Sequence, residues 1–185
     1  MLHPGEEVRT PLVALGFWRG DWIRGQNLWR AWMRDHNLPR PGGKLPPPQF
    51  VACSSHWFGE MIGADEASQI EFIDRYLEEG LKLDYWWRDA GWYPDRGEWW
   101  NTGTWEPDPE RFPHGLQPVS ARADQHGADL LVWFEPERVT GGSRLYQEHP
   151  EWLLTLQEPD ELHSALLNLG DPDCRQWLTD HVCRL

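Results

Sequence analysis

The chain has 185 residues, enough for one domain or part of a larger one, and 39% of them are hydrophobic, so a buried core is affordable. Seventeen basic residues face 30 acidic ones for a net charge of -13, which repels phosphate backbones and argues against a nucleic-acid partner. No apolar run approaches the roughly 20 residues of a membrane helix, and the opening Met1-Leu2-His3-Pro4-Gly5 lacks the basic and apolar segments of a signal peptide.

In chain order, residues 2–15 predict a turn followed by a strand. Residues 25–36 predict a helix with Leu28, Trp32 and Met33 on one side. The Pro- and Gly-rich stretch 38–48 is a linker, which places a domain boundary between 1–48 and 49–185. Phe50-Val51-Ala52-Cys53 is a short apolar strand. Asp65 caps a helix carrying Ile70, Ile73, Tyr76 and Leu77, and Gly80 stops it. Residues 83–87 form a second strand, Leu116, Val119 and Ala123 mark a helix ending at Gly127, and residues 130–134 form a third strand. Residues 166–169 predict a fourth parallel strand, and Asp171-Pro172 starts a last helix with an N-cap and a proline in its first turn.

Strands alternating with helices predict a parallel α/β sheet, and the long loops all follow strands. Periodicity alone does not separate a barrel from a doubly wound sheet, but no GxGxxG follows a strand, which counts against a dinucleotide fold and its cofactor. No His/Cys/carboxylate group has zinc spacing, so neither metal nor cofactor is expected. Cys53, Cys174 and Cys183 form no CxxC pair, and their odd number favours a reducing, cytoplasmic setting.

Fourteen tryptophans stand out. Their flat apolar faces suit the C–H face of a sugar ring, or equally a Trp-rich core. The ends of the predicted strands carry Ser54 to Gly59, then Arg88 to Tyr93, then Trp133 to Val139, with Asn168 and Asp171 at the fourth, preceded by His163. Parallel neighbours would bring these groups to one mouth, where carboxylates accept hydroxyl hydrogen bonds and tryptophans stack on sugar. Asp89 could equally be a turn residue, and His163 a core or surface histidine. Glu135 and Glu137, two apart, would share a face of a strand, either as an acid/base pair or with one of them paired to Arg138.

The segments Tyr85 to Tyr93 (YWWRDAGWY), Gly103 to Leu116 (GTWEPDPERFPHGL), Val132 to Val139 (VWFEPERV), His149 to Trp152 (HPEW) and Leu167 to Pro172 (LNLGDP) together resemble glycoside hydrolase family 36, the melibiase-type α-galactosidases. The resemblance implies a partial (β/α)8 TIM barrel over 49–185, preceded over 1–48 by the last strand or strands of a β-supersandwich domain and a linker. It implies a retaining glycosidase acting on terminal α-galactosides or related α-linked sugars, with a carbohydrate as its partner. Family members are often oligomers, so a homo-oligomer is the expectation for the full-length protein. The family's nucleophile follows the fifth barrel strand and its acid/base comes later still, both beyond Leu185, so no catalytic residue is assigned in this chain and a fragment inactive by itself is expected. The implied sugar-binding residues are Trp57, Asp89, Trp133, Glu135 and His163, with Asp89 holding galactose hydroxyls. Ala90 departs from the family, which has a second aspartate there, and no arginine precedes the predicted fourth strand. Both departures touch the sugar pocket, so a galactosamine derivative stays open as substrate. The alternative is a non-catalytic carbohydrate-binding module built on the same tryptophan-lined mouth.

Overall fold

The computed structural model describes residues 4–55, 58–155 and 164–185. It divides into two compact units, 1–48 and 49–185. Among the described residues no helix is long and apolar enough to cross a membrane.

In the first unit residues 6–19 take no regular secondary structure, so the strand expected within 2–15 is not formed. A strand exists only by hydrogen bonding to a neighbour, and the described residues of this unit supply none. Helix α1 runs Trp22–His36, starting three residues before the expected Gly25 because the Asp21 side chain caps it, accepting from the Arg24 N–H at 2.9 Å. Gly25 is tolerated inside the helix because Trp18 lies against it: an added Cβ would come within 2.6 Å of that ring. No residue of α1 is buried. Phe17, Trp18, Trp22 and Trp29 are exposed around a cleft of about 700 Å³.

The second unit is built on three parallel strands, β1 (Val51–Ala52), β2 (Tyr85–Arg88) and β3 (Asp129–Val132), in the order β1-β2-β3. Tyr85 lies opposite Val51 and Asp129, and Arg88 opposite Val132. After the short helix α2 (Phe58–Gly63) comes α3 (Glu66–Glu78), opened by a full capping box between Asp65 and Ser68 and followed by Gly80 at φ +77°. α4 (Gln117–Asp124) has proline in its first turn and Gly127 (φ +73°) after its end. Helices α3 and α4 cover one face of the sheet, where Ile73, Leu83, Trp86, Val119, Ala123 and Ala128 form a core. Trp86 is fully buried, a side-chain transfer contributing on the order of 2–3 kcal/mol. Its indole N–H donates to Gln69 at 3.1 Å, and Gln69 donates to Ser54 at 2.8 Å. This chain ties β2 through α3 to the end of β1. On the opposite face Val51, Trp87 and Leu131 remain exposed.

The predicted fourth parallel strand is corrected by the structure. Strand β6 (Ala165–Leu167) belongs to a second sheet, antiparallel to β4 (Arg138–Val139) and β5 (Leu153–Leu154), in the order β4-β6-β5. Its burial explains the choice: Ala165 and Leu167 are buried while Leu166 is 56% exposed. That alternation suits an antiparallel strand with one wet face, whereas a parallel strand between helix layers is buried on both. Helices α5 (Arg144–Glu148) and α6 (Pro172–Val182) follow β4 and β6, and Asp171 caps α6 by accepting from the Asp173 and Cys174 N–H groups. Around them lies the larger core of Trp92, Tyr93, Trp105, Phe112, Val139, Leu145, Leu167, Cys174 and Leu178. Trp86, Trp92 and Trp105 are therefore core residues, as half of the composition argument allowed.

Candidate functional site

The C-terminal ends of β1, β2 and β3 lie side by side. The Trp133 N–H donates to the Arg88 carbonyl at 3.0 Å, extending the β2–β3 register by one step. Asp89 and Trp133 thus leave neighbouring strand ends together, both half-buried. Strand alternation, carried one step past Trp87, turns Asp89 toward the open face of the sheet and Arg88 toward the buried one. One Asp89 oxygen accepts the Ala90 N–H at 2.8 Å. The Trp133 ring packs edge-on against Trp99 at 6.2 Å and tilted against Trp105 at 6.2 Å, and its carbonyl accepts the Trp92 indole N–H at 3.0 Å. The backbone positions of Asp89 and Trp133 are thereby neighbours at one end of the sheet.

Glu135 follows in the loop and is half-buried, accepting from Arg138 at 2.5 Å. The Arg138 guanidinium also lies over the Trp99 ring, 5.3 Å from its centre. Glu137 is exposed, and its carbonyl accepts the Leu167 N–H. The two glutamates do not share a strand face as their spacing suggested, because β3 ends at Val132. Trp57 and His163 lie outside the described residues. Asp171 is spent on the α6 cap.

Three residues to which the sequence gives no role, Arg111, Arg88 and Asp95, organise this corner. Arg111 sends all its N–H groups to the protein. Nε donates to Asp108 (2.9 Å), Nη1 to the Gly91 (2.6 Å), Ile62 (3.0 Å) and Ala64 (3.4 Å) carbonyls, and Nη2 to the Tyr93 carbonyl (2.8 Å) and Asp95 (3.0 Å). Arg88, fully buried, donates to the Met61 carbonyl at 3.0 Å and lies over Phe112. Met61 and Ile62 are in the last turn of α2, whose carbonyls have no helical partner, so two guanidiniums meet that need. Burial, with the neighbouring Arg111 charge, pushes the Arg88 pKa down to about 10. Burial likewise raises Tyr93, whose hydroxyl donates to the Trp99 carbonyl at 2.5 Å. In the sequence only Asp108, three residues before Arg111, hinted at this network.

Asp95 is the third. Burial pushes its carboxyl up, against the opposing pull of the Gly97 N–H and Arg111. The folded state then holds the proton more tightly than the unfolded one, so this group's contribution to stability falls as pH rises through the window between the two pKa values. Asp95→Asn cannot titrate. Its stability relative to wild type is expected to improve between pH 3.5 and pH 7 (about the span that brackets a raised carboxyl), measured by urea denaturation at both pH values. A shift in favour of wild type would mean that the Arg111 pair outweighs desolvation.

The family model described as Melibiase matches residues 55–185. A probable α-galactosidase G of Aspergillus terreus is 30% identical over 100% of this chain, which covers 27% of that protein. Among solved structures, an α-galactosidase of Thermus thermophilus in complex with p-nitrophenyl α-D-galactopyranoside superposes with a TM-score of 0.59 at 26% identity, over 78% of this chain and 29% of that one. A family 36 α-galactosidase of Geobacillus stearothermophilus in complex with raffinose gives a TM-score of 0.62 at 20% identity, over 73% of this chain and 19% of that one. The parallel sheet and its helices therefore correspond to part of the catalytic-domain fold of these enzymes. The chain spans about a quarter of the length of the curated relatives it matches.

Proposed function

Because the chain belongs to the Melibiase family, we propose that it forms the first part of the catalytic barrel of a retaining α-galactosidase and supplies one side of its sugar-binding mouth. The observation that carries this reading is that Asp89 and Trp133 directly follow the paired residues Arg88 and Val132 at the adjacent ends of β2 and β3. The carboxylate accepts hydroxyl hydrogen bonds, and charged acceptors make the stronger ones. The indole offers a flat apolar face to the C–H side of the ring. Glu135, steadied by Arg138, lines the next part of the rim. Ala90 is buried, so the sugar meets one carboxylate at this turn.

The relatives are hydrolases, which favours this reading over a binding module that leaves its sugar intact. In a retaining enzyme the two reacting carboxyls stand about 5–5.5 Å apart across the scissile bond. In our reading both come from residues outside these 185, and Glu135 and Glu137 are not that pair. A reducing, cytoplasmic compartment is part of the proposal, resting on the odd number of cysteines and the lack of a CxxC pair.

The test is hydrolysis of p-nitrophenyl α-galactoside by the full-length polypeptide carrying this chain, with the anomer of the released galactose followed by NMR. Release first as the α anomer is expected. Release as the β anomer would refute retention, and binding of galactose without any turnover would favour the module.

A further inference from the structure

We propose that Arg111 is a positioning residue for Asp89: by fixing the turn after β2, its guanidinium sets where the carboxylate meets the sugar. The inference rests on the reading of Asp89 as a sugar ligand. Its structural basis is independent of that reading. The turn is held from both sides. Arg111 takes the carbonyls of Gly91 and Tyr93, two and four residues after Asp89. Arg88, immediately before Asp89, takes the Met61 carbonyl. That same Met61 carbonyl closes on Gly91, whose Cβ position lies 2.0 Å from it. The other Arg111 bonds run to Ile62 and Ala64 behind the β1 loop and to Asp95 and Asp108. One side chain, 17% exposed, therefore joins the segments that follow β1 and β2.

The identity of the residue matters. A planar guanidinium carries five donors in a fixed fork, and a lysine ammonium has three on a flexible stem. Lysine preserves the charge facing Asp95 and Asp108 but cannot bond the Gly91 and Tyr93 carbonyls and the Ile62 and Ala64 carbonyls at once. A misplaced Asp89 weakens binding of the substrate and of the transition state alike, so the loss falls on KM more than on kcat.

The experiment is a double-mutant cycle in the full-length polypeptide, with kcat, KM and Tm measured for Arg111→Lys, Asp89→Asn and the pair. Arg111→Lys is expected to lower kcat/KM about tenfold in the wild-type background, mainly through KM, and less than about twofold when Asp89 is already Asn, since residues acting through one contact are not additive. A tenfold loss in both backgrounds would show that Arg111 acts elsewhere and would overturn the inference alone. Near-normal kinetics for Asp89→Asn would instead remove the underlying reading, and the inference with it. If Arg111→Lys does not fold, Asp108→Asn loosens the same guanidinium while sparing its carbonyl bonds. Its loss is expected to shrink in the Asp89→Asn background in the same way, and a loss of equal size in both overturns the inference.

Discussion

Asp89→Asn is expected to cut kcat/KM on an aryl α-galactoside more than a hundredfold in the full-length polypeptide, with little change in Tm. Hydrogen bonds to a charged acceptor are worth roughly 1.5–3 kcal/mol each, and losing about 3 kcal/mol of binding shared by substrate and transition state lowers kcat/KM more than a hundredfold, mainly through KM. Asparagine keeps a side-chain oxygen that can accept the Ala90 N–H, the bond Asp89 makes at 2.8 Å, so the turn survives. A purely local role for Asp89 in that turn predicts the opposite pattern: lower stability with normal activity per folded molecule. Measuring kcat/KM and Tm on the same sample separates the two, with the exposed Glu137→Gln as comparison. Activity within about threefold of wild type, against the hundredfold that the lost binding energy implies, would remove Asp89 from the sugar site.

Gly91→Ala should be the most damaging small substitution for stability. Its φ of +79° is a left-handed conformation, and the added Cβ would fall 2.0 Å from the Met61 backbone oxygen. The conformation alone costs an L-residue roughly 1–2 kcal/mol. The clash must move either the end of α2 or the turn carrying Asp89, and overpacking of this kind adds about 1–3 kcal/mol. Gly97→Ala is the control, since its φ is +84° with nothing near the Cβ position. Urea midpoints for the two variants should differ clearly, Gly91→Ala being the lower. Equal midpoints would show that Met61 does not press on this turn.

Local chemistry made part of the fold legible. Asp65, Gly80 and Asp171-Pro172 are caps and stops legible in the sequence, and the helix boundaries they set agree with the structure. The parallel strands were legible too, because apolar runs separated by helical patterns leave little else. Pairing direction was not. Leu166 and Leu167 look alike in sequence, and their opposite burial depends on partners at 138–139 and 153–154, strands of two residues each. The strand expected within 2–15 shows the same limit, since a strand needs a partner to complete it. At the candidate site, Asp89 and Trp133 could be named through the family resemblance of YWWRDAGWY and VWFEPERV, since by residue type alone Asp89 could equally be a turn residue. Arg111 could not be named, because its acceptors are mainly backbone carbonyls at 62, 64, 91 and 93, which have no residue-type signature.

The Arg111 network also bears on how this corner tolerates change in chain length. Its acceptors come from residues 62–64, 91–95 and 108, all within bonding distance of one guanidinium. Adding or deleting a single residue in any of these segments displaces the following carbonyls by about 3.8 Å, one Cα step, which is longer than the bonds themselves. Surface loops usually absorb insertions, but these segments are locked to one another and must keep their lengths together. If this mouth binds sugar as proposed, its diversification on this side is then confined to exchange of side chains, and the loop that follows is held as well, with Tyr93 donating to the Trp99 carbonyl, Asn101 to the Asp95 carbonyl and Thr102 to the Arg138 carbonyl.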